Sequence, residues 1–433
     1  MSSDFFLHIS MAETVEDVES PRPPRRVEQL LTEGGALKAP DTPEKKNYVH
    51  ASARSPLFDN IKFVFMYGIV QWHSGRCGQN IRCMPGAEAI LGEELGILNC
   101  FPKCLGSACL TGFMLIAGVV YAGRTINLRK PSTLLHIVGI AMAVQYGLAP
   151  PIDWALASRI PSNGHVWFMY ALATARAFVG GAQLAGLSAR AICAFALAVN
   201  LFAALGWHYV LELVGYQRQY DGLTWSSSEW FDVVGSRWFT FILYFAVGCL
   251  LPAEKLVQWN ATTRGSPLLW RLALFTLGVN FFYNLWRLDL RASNLFVSAP
   301  PQQWLERMPV HIEFTIISTL SPILILLVLP PHRVGRITDW GENTLFCYLV
   351  HPFGLKLVYK PLLPVLLFAA NGVAFAPLRN LLLFLILSVL PLVVQIGLCH
   401  LSIVLKATYQ KWKNRKEPRP SKEAAADVVV SAK

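Results

Sequence analysis

Apolar residues gather in long runs along this chain, separated by polar connections. A membrane-spanning helix takes roughly 20 residues. Against that length the runs predict spanning helices at about 58–76, 105–123, 132–149, 166–183, 190–211, 238–252, 267–285, 312–330, 342–362 and 380–405. The sixth is short. The expected fold class is all-α: a polytopic transmembrane helical bundle of about ten spans. An even number of spans puts both termini on one side, expected to be the cytosol. Residues 1–56 read as a disordered cytosolic tail, 57–405 as the transmembrane domain and 406–433 as a basic cytosolic tail. The first tail has no apolar core near its start, so the first span is expected to serve as the targeting signal. No internal repeat is visible, which weighs against an inverted-repeat transporter plan.

Composition narrows the class further. Of the 433 residues 54% are hydrophobic and only 15% charged, against roughly 25% charged in an average soluble domain. A soluble enzyme of this size and a largely disordered chain are both excluded on those numbers. The net charge of +11 invites a nucleic-acid reading, but the surplus crowds into the tails. Arg22, Arg25, Arg26, Lys45 and Lys46 lie at one end, and Lys406 to Lys422 at the other. Basic tails beside hydrophobic spans mark cytoplasmic ends, and no basic stripe with interleaved aromatics is present, so no nucleic-acid partner is expected.

The connections agree mildly with that orientation. Those predicted inside hold Arg124, Arg129, Lys130, Arg176, Arg190, Lys255, Arg264, Arg333 and Arg336. Those predicted outside mix Arg with Glu88, Glu93, Glu94, Asp153, Asp221, Glu229, Asp232, Asp289 and Glu306. Four of the nine cysteines, Cys77, Cys83, Cys100 and Cys104, fall in or beside the first outer connection. Two disulfides are expected there, with the pairing open; a zinc site is the rival, but no CxxC pair occurs and no His lies between them. No metal site is expected. The sequon Asn260-Ala261-Thr262 falls in a predicted cytosolic loop and should be unused.

Ionisable groups inside spans are costly and are therefore the first functional candidates. The first span carries Lys62 at its cytosolic entrance and His73 eleven residues on, about 16 Å deeper along a helix. A cation there could hold the phosphates of a cytosolic cosubstrate. An imidazole, with a pKa near neutrality, could act as general base on a hydroxyl. The bland alternative is a snorkelling Lys and a His bonded to a neighbouring helix.

Phe58-Asp59-Asn60-Ile61-Lys62 followed by His73 resembles the first-helix signature of the acyltransferase 3 family, in particular its fucose 4-O-acetylase-like branch. The family's commoner form has Arg where this chain has Lys62, which keeps the charge but loses the bidentate fork. His165-Val166-Trp167-Phe168-Met169 resembles the family's His-Leu-Trp-Phe-Leu opening of a middle span. Gly341-Glu342-Asn343-Thr344-Leu345-Phe346-Cys347-Tyr348-Leu349-Val350-His351 resembles its late segment, and the second-span Ser-Gly is partly kept as Ala117-Gly118. The similarity covers about residues 55–405.

The resemblance implies an integral membrane O-acyltransferase. It would move an acyl group, usually acetyl, from acyl-CoA as cosubstrate to a hydroxyl of a sugar, glycan or lipid acceptor, with no tightly bound cofactor. It implies His73 and His351 as catalytic, Lys62 as the donor-binding cation, and His165 and Trp167 at the substrate; Asn343 and Tyr348 are candidate oxyanion donors. Orientation adds that His73, His165, His208 and His311 fall toward outer span ends and His351 near mid-membrane. His208 and Glu212 share a helix face; His311 and Glu313 do not. Asn284, Arg287 and Asp289 beside aromatics fit a sugar site or an interfacial aromatic belt equally. The rivals are a transporter or lipid-handling protein with His73 as proton relay, and a non-catalytic sensor or scaffold. Outer-loop disulfides favour a secretory-pathway or plasma membrane.

Overall fold

The computed structural model of the chain describes residues 55–81, 108–126, 128, 138–140, 142–143, 167–205, 210, 213, 238–286 and 304–416. Among them the structure is all helical, with no strand. The helices are α1 (Pro56–Ile81), α2 (Ala108–Val119), α3 (Trp167–Leu184), α4 (Ala189–Leu205), α5 (Thr240–Cys249), α6 (Ala253–Thr263), α7 (Pro267–Trp286), α8 (Trp304–Val328), α9 (Gly335–Gly341), α10 (Thr344–Asn371) and α11 (Ala376–Lys416). The body comprises Ser52–Ile403, and the last turns of α11, from Val404, belong to a second unit.

Among the described residues, two helices are long and apolar enough to cross a membrane, His311–Val328 within α8 and Ala376–Arg415 within α11. The count rises to three if α5 and α6 form one broken span; they meet at 79°. The break falls at Pro252, whose ring cannot continue a helix and whose ψ of 134° turns the chain out of it. Ala108–Val119, Ala189–Ala204, Pro267–Val279 and Thr344–Leu355 are apolar but shorter. The run at 132–149 lies almost wholly outside the described residues; every other predicted span falls on a helix.

Each helix follows from local chemistry. In α1, Pro56 sits at the first helical position, where its missing N–H is no loss, and Asp59 meets the positive helix end in the first turn. The helix runs on to Ile81, so Cys77 lies within it rather than in a connection. The side chains of all four outer-connection cysteines fall outside the described residues. Helix α5 is apolar all round and is buried along Thr240–Ala246 and at Gly248, as an enclosed helix must be. It packs on α3 and α4, and crosses α2 glycine to glycine. A Cβ on Gly118 would stand 2.1 Å from the Phe245 carbonyl oxygen, and one on Gly248 would stand 2.0 Å from that of Leu115. Small residues at both positions are what let the two backbones touch.

Buried amides tie the ends together. Asn260 of α6 donates to the carbonyls of Leu326, Leu327 and Leu329 at 2.7–3.0 Å, satisfying the open C-terminal end of α8. The sequon asparagine is thus wholly buried and committed. Asn60 of α1 does the same one turn on, donating to Pro330 and His332 carbonyls at 2.8 and 3.0 Å. Its Oδ1 accepts from Thr338 of α9 at 2.7 Å. Trp340 stacks on Phe63 at 5.7 Å. At Gly341 the backbones of α9 and α1 meet, where an added Cβ would be 1.9 Å from the Asp59 carbonyl oxygen.

Candidate functional site

The two histidines that the sequence places 278 residues apart meet inside the body. His73 Nδ1 lies 3.0 Å from His351 Nε2, with ring centroids 4.7 Å apart and planes tilted by 43°. His351 is fully buried. Its other nitrogen, Nδ1, lies 2.7 Å from the backbone carbonyl oxygen of Tyr348, three residues back in α10.

The sequence explains that second contact. In an unbroken helix the Tyr348 carbonyl would take the N–H of residue 352. That residue is Pro352, which has no N–H to give. The carbonyl is left open beside the imidazole of His351, which fills it. A carbonyl oxygen only accepts, so His351 Nδ1 carries the proton. With both rings neutral, His351 Nε2 must then accept from His73 Nδ1–H, and the lone pair of the dyad falls on His73 Nε2. One proline fixes two tautomers in series.

Helix α1 presents Lys62 on the same side. Eleven residues at 3.6 per turn bring Lys62 and His73 within about 20° of one face, and α1 is continuous between them. The Lys62 ammonium pairs with the Asp59 carboxylate at 3.5 Å, both largely buried. Part of its charge is therefore compensated within the protein.

Helix α11 holds the other flank of α1. Gln395 Nε2 donates to the Phe63 carbonyl at 2.9 Å, and the Tyr67 hydroxyl to that of Ser388 at 3.0 Å. Asn343 caps this arrangement from the foot of α10. Its Nδ2 donates to the Asp339 carbonyl at 2.7 Å and its Oδ1 accepts from Ser402 at 3.1 Å. The amide is thereby committed to holding α9, α10 and α11 together. Tyr348 enters the site through its carbonyl, while its ring packs on Phe168 at 5.6 Å. Trp167 meets Phe241 edge-on at 5.2 Å, and Phe168 meets Phe241 at 6.4 Å. This aromatic cluster reaches the dyad through Tyr348, whose ring centroid lies 5.9 Å from that of His351. His165, His208, Glu212, Arg287 and Asp289 lie outside the described residues, as does the side chain of Asn284.

A second buried imidazole escaped emphasis in the sequence. His311 of α8 meets Asn200 of α4, its Nε2 2.8 Å from the amide Oδ1. The amide's orientation is set by its Nδ2, which donates to the Thr240 carbonyl at 2.8 Å. Glu313 points away and is exposed. An isolated polar residue in an apolar run, such as Asn200, is the only signal the sequence offers for such stitches. Arg176 also lies elsewhere than the loop where the sequence reading put it: it is at the centre of α3.

No protein-family model, curated protein or solved structure compared with the chain matches it. The family resemblance therefore rests on the motif residues themselves.

Proposed function

We propose that the protein is an integral membrane O-acyltransferase moving an acyl group, typically acetyl, from acyl-CoA to a hydroxyl of a sugar, glycan or lipid. The observation that carries the reading is the His73–His351 dyad, with its tautomers ordered from the Tyr348 carbonyl. Such a pair delivers a directed lone pair at His73 Nε2 and can share a proton across two rings. That is what a general base for a hydroxyl needs. The motif resemblance supports the same chemistry.

In the proposed reaction, His73 Nε2 removes the acceptor O–H proton as the oxygen attacks the thioester carbonyl. The tetrahedral centre collapses with cleavage of the C–S bond. The proton passes from His73 to the departing thiolate, giving an ester and free coenzyme A. His351 acts as a positioning residue, turning the ring of His73. Lys62, on the same face of α1, faces the donor's anionic end. The bundle is read as about ten spans with both termini cytosolic, in a secretory-pathway or plasma membrane.

Purified protein given acetyl-CoA and an acceptor glycan extract should release coenzyme A and add an acetyl mass to the acceptor. His73→Ala should abolish both while leaving expression intact; near-normal turnover in that variant would overturn the mechanism. The same 3.0 Å imidazole contact also suits a proton relay in a transporter. Solute movement in proteoliposomes without coenzyme A release would favour that second reading.

A further inference from the structure

Arg176 is the single charged residue of the apolar helix α3. It lies about 12–14 Å from either end at 1.5 Å per residue. Its neighbours are set by one face of α3. Arg176, Gly180 and Gln183, at spacings of four and three, all meet the segment that follows α2. The Arg176 guanidinium sits 4.9 Å over the Tyr121 ring. A Cβ on Gly180 would stand 2.8 Å from the Leu128 side chain. Gln183 accepts from Ile126 N–H at 2.8 Å and donates to the Arg124 carbonyl at 3.1 Å. The arginine is thus held in a constructed corner between α3 and residues 121–128.

Among the described residues, what the corner lacks is an anion. Lys62 pairs with Asp59 and Arg333 with Asp339 among those residues; neither pair involves Arg176. Its Nε is buried with no hydrogen-bond partner. The Tyr121 face attracts the charge but offers the edges of the guanidinium no oxygen. A largely enclosed cation whose buried Nε–H is unused is costly unless an acceptor fills it. A planar fork of N–H groups fits the paired oxygens of a phosphate.

We propose that Arg176, backed by Tyr121, is an anion site of this protein besides Lys62, and that its ligand is a phosphate group. The contrast with Lys62 directs the choice, since Lys62 already has Asp59 as counter-charge and Arg176 has none among the described residues. Two sources carry this chemistry: the phosphates of a soluble acyl-CoA and the headgroup of a phospholipid. Assignment to the acyl-CoA rests on the acyltransferase reading; the anion site rests on the geometry of Arg176.

The test uses the full chain in detergent and in phosphatidylcholine nanodiscs. Coenzyme A binding is measured for the wild type, Arg176→Gln and Arg176→Lys, and co-purifying phospholipid is counted by native mass spectrometry. At least a tenfold loss of coenzyme A affinity in R176Q, with bound lipid unchanged, supports the soluble source. Loss of a bound phospholipid in R176Q, with coenzyme A affinity unchanged, supports the headgroup source. If neither changes, Arg176 merely packs on Tyr121 and the proposal falls. Should R176Q fail to fold, R176K decides: it keeps the charge without the fork and should weaken the anion at least threefold. Wild-type binding of both ligands by R176K overturns the assignment. Coenzyme A bound through Arg176 in a protein that transfers no acyl group would remove the transferase reading and leave the anion site standing. Transfer by R176Q with an unchanged KM for acetyl-CoA, together with unchanged bound lipid, would do the reverse.

Discussion

Among the described residues two imidazoles, His311 and His351, are buried with nearly equal hydrogen bonds, and their partners make them different devices. His311 faces an amide oxygen 2.8 Å away that can only accept, because the amide nitrogen is spent on Thr240. The proton on His311 Nε2 has no second home across that contact. His351 faces another imidazole at 3.0 Å, and either nitrogen of that contact can hold the proton. The first arrangement joins α4, α5 and α8; the second joins α1 and α10 and can also store and pass a proton. Burial and hydrogen-bond length alone do not separate structure from chemistry. The partner's capacity to titrate does.

Substitutions should break that comparison in order of size. His73→Ala is expected to cost about 10²–10⁴-fold in acyl transfer, the usual worth of a positioned acid–base group, with the fold intact by thermal unfolding. The matching change on the structural side, Asn200→Ala, should leave turnover per folded molecule unchanged. It should lower stability by about 1–3 kcal/mol, the cost of stranding buried partners, read as a lower unfolding midpoint. A large drop in turnover with an unchanged midpoint would erase the distinction.

Pro352→Ala sharpens the dyad itself. It returns an N–H to compete for the Tyr348 carbonyl, loosening the hold on His351. The expected loss in kcat is about fivefold, equivalent to ~1 kcal/mol of orientation, while the unfolding midpoint rises because a helix-interior proline is removed. Unchanged kcat would show that the tautomer is set elsewhere.

Pro322 supplies the quiet control. It frees the Ser318 carbonyl in α8, which takes the Thr111 hydroxyl of α2 at 2.8 Å. Thr111→Val should cost about 1 kcal/mol of stability and nothing in turnover. Two prolines open two carbonyls; only the one answered by an imidazole touches the proposed chemistry.

Much of this was legible in the sequence, and the gaps have physical reasons. The apolar runs located nearly every described helix, because enclosure of apolar surface leaves a continuous signature. His73 and His351 were singled out as costly ionisable residues. That they touch was not, since depth along two separate helices fixes no lateral contact. Orientation alone had set them at different depths. The role of Pro352 could have been read from its place, four residues after Tyr348 and one after His351. Asn60, Asn200 and Asn260 could not, because an amide in the sequence does not say which helix end it will meet. Arg176 was read as a loop cation from its charge, although the run around it is apolar.

The stitching of α1 has a consequence for how the protein is made. The Phe63 carbonyl waits for Gln395, Tyr67 waits for Ser388, and His73 waits for His351. Helix α1, the earliest of the described helices, thus finds its partners in α10 and α11, the latest of them, and such distant contacts close slowly. Until then α1 holds a lysine, an aspartate and a histidine with its final neighbours unmade. A nascent chain halted before residue 352 would carry every residue of the first-helix motif and no assembled site. The proposed dyad therefore cannot form until α10 has been made, long after the first-helix motif is in place.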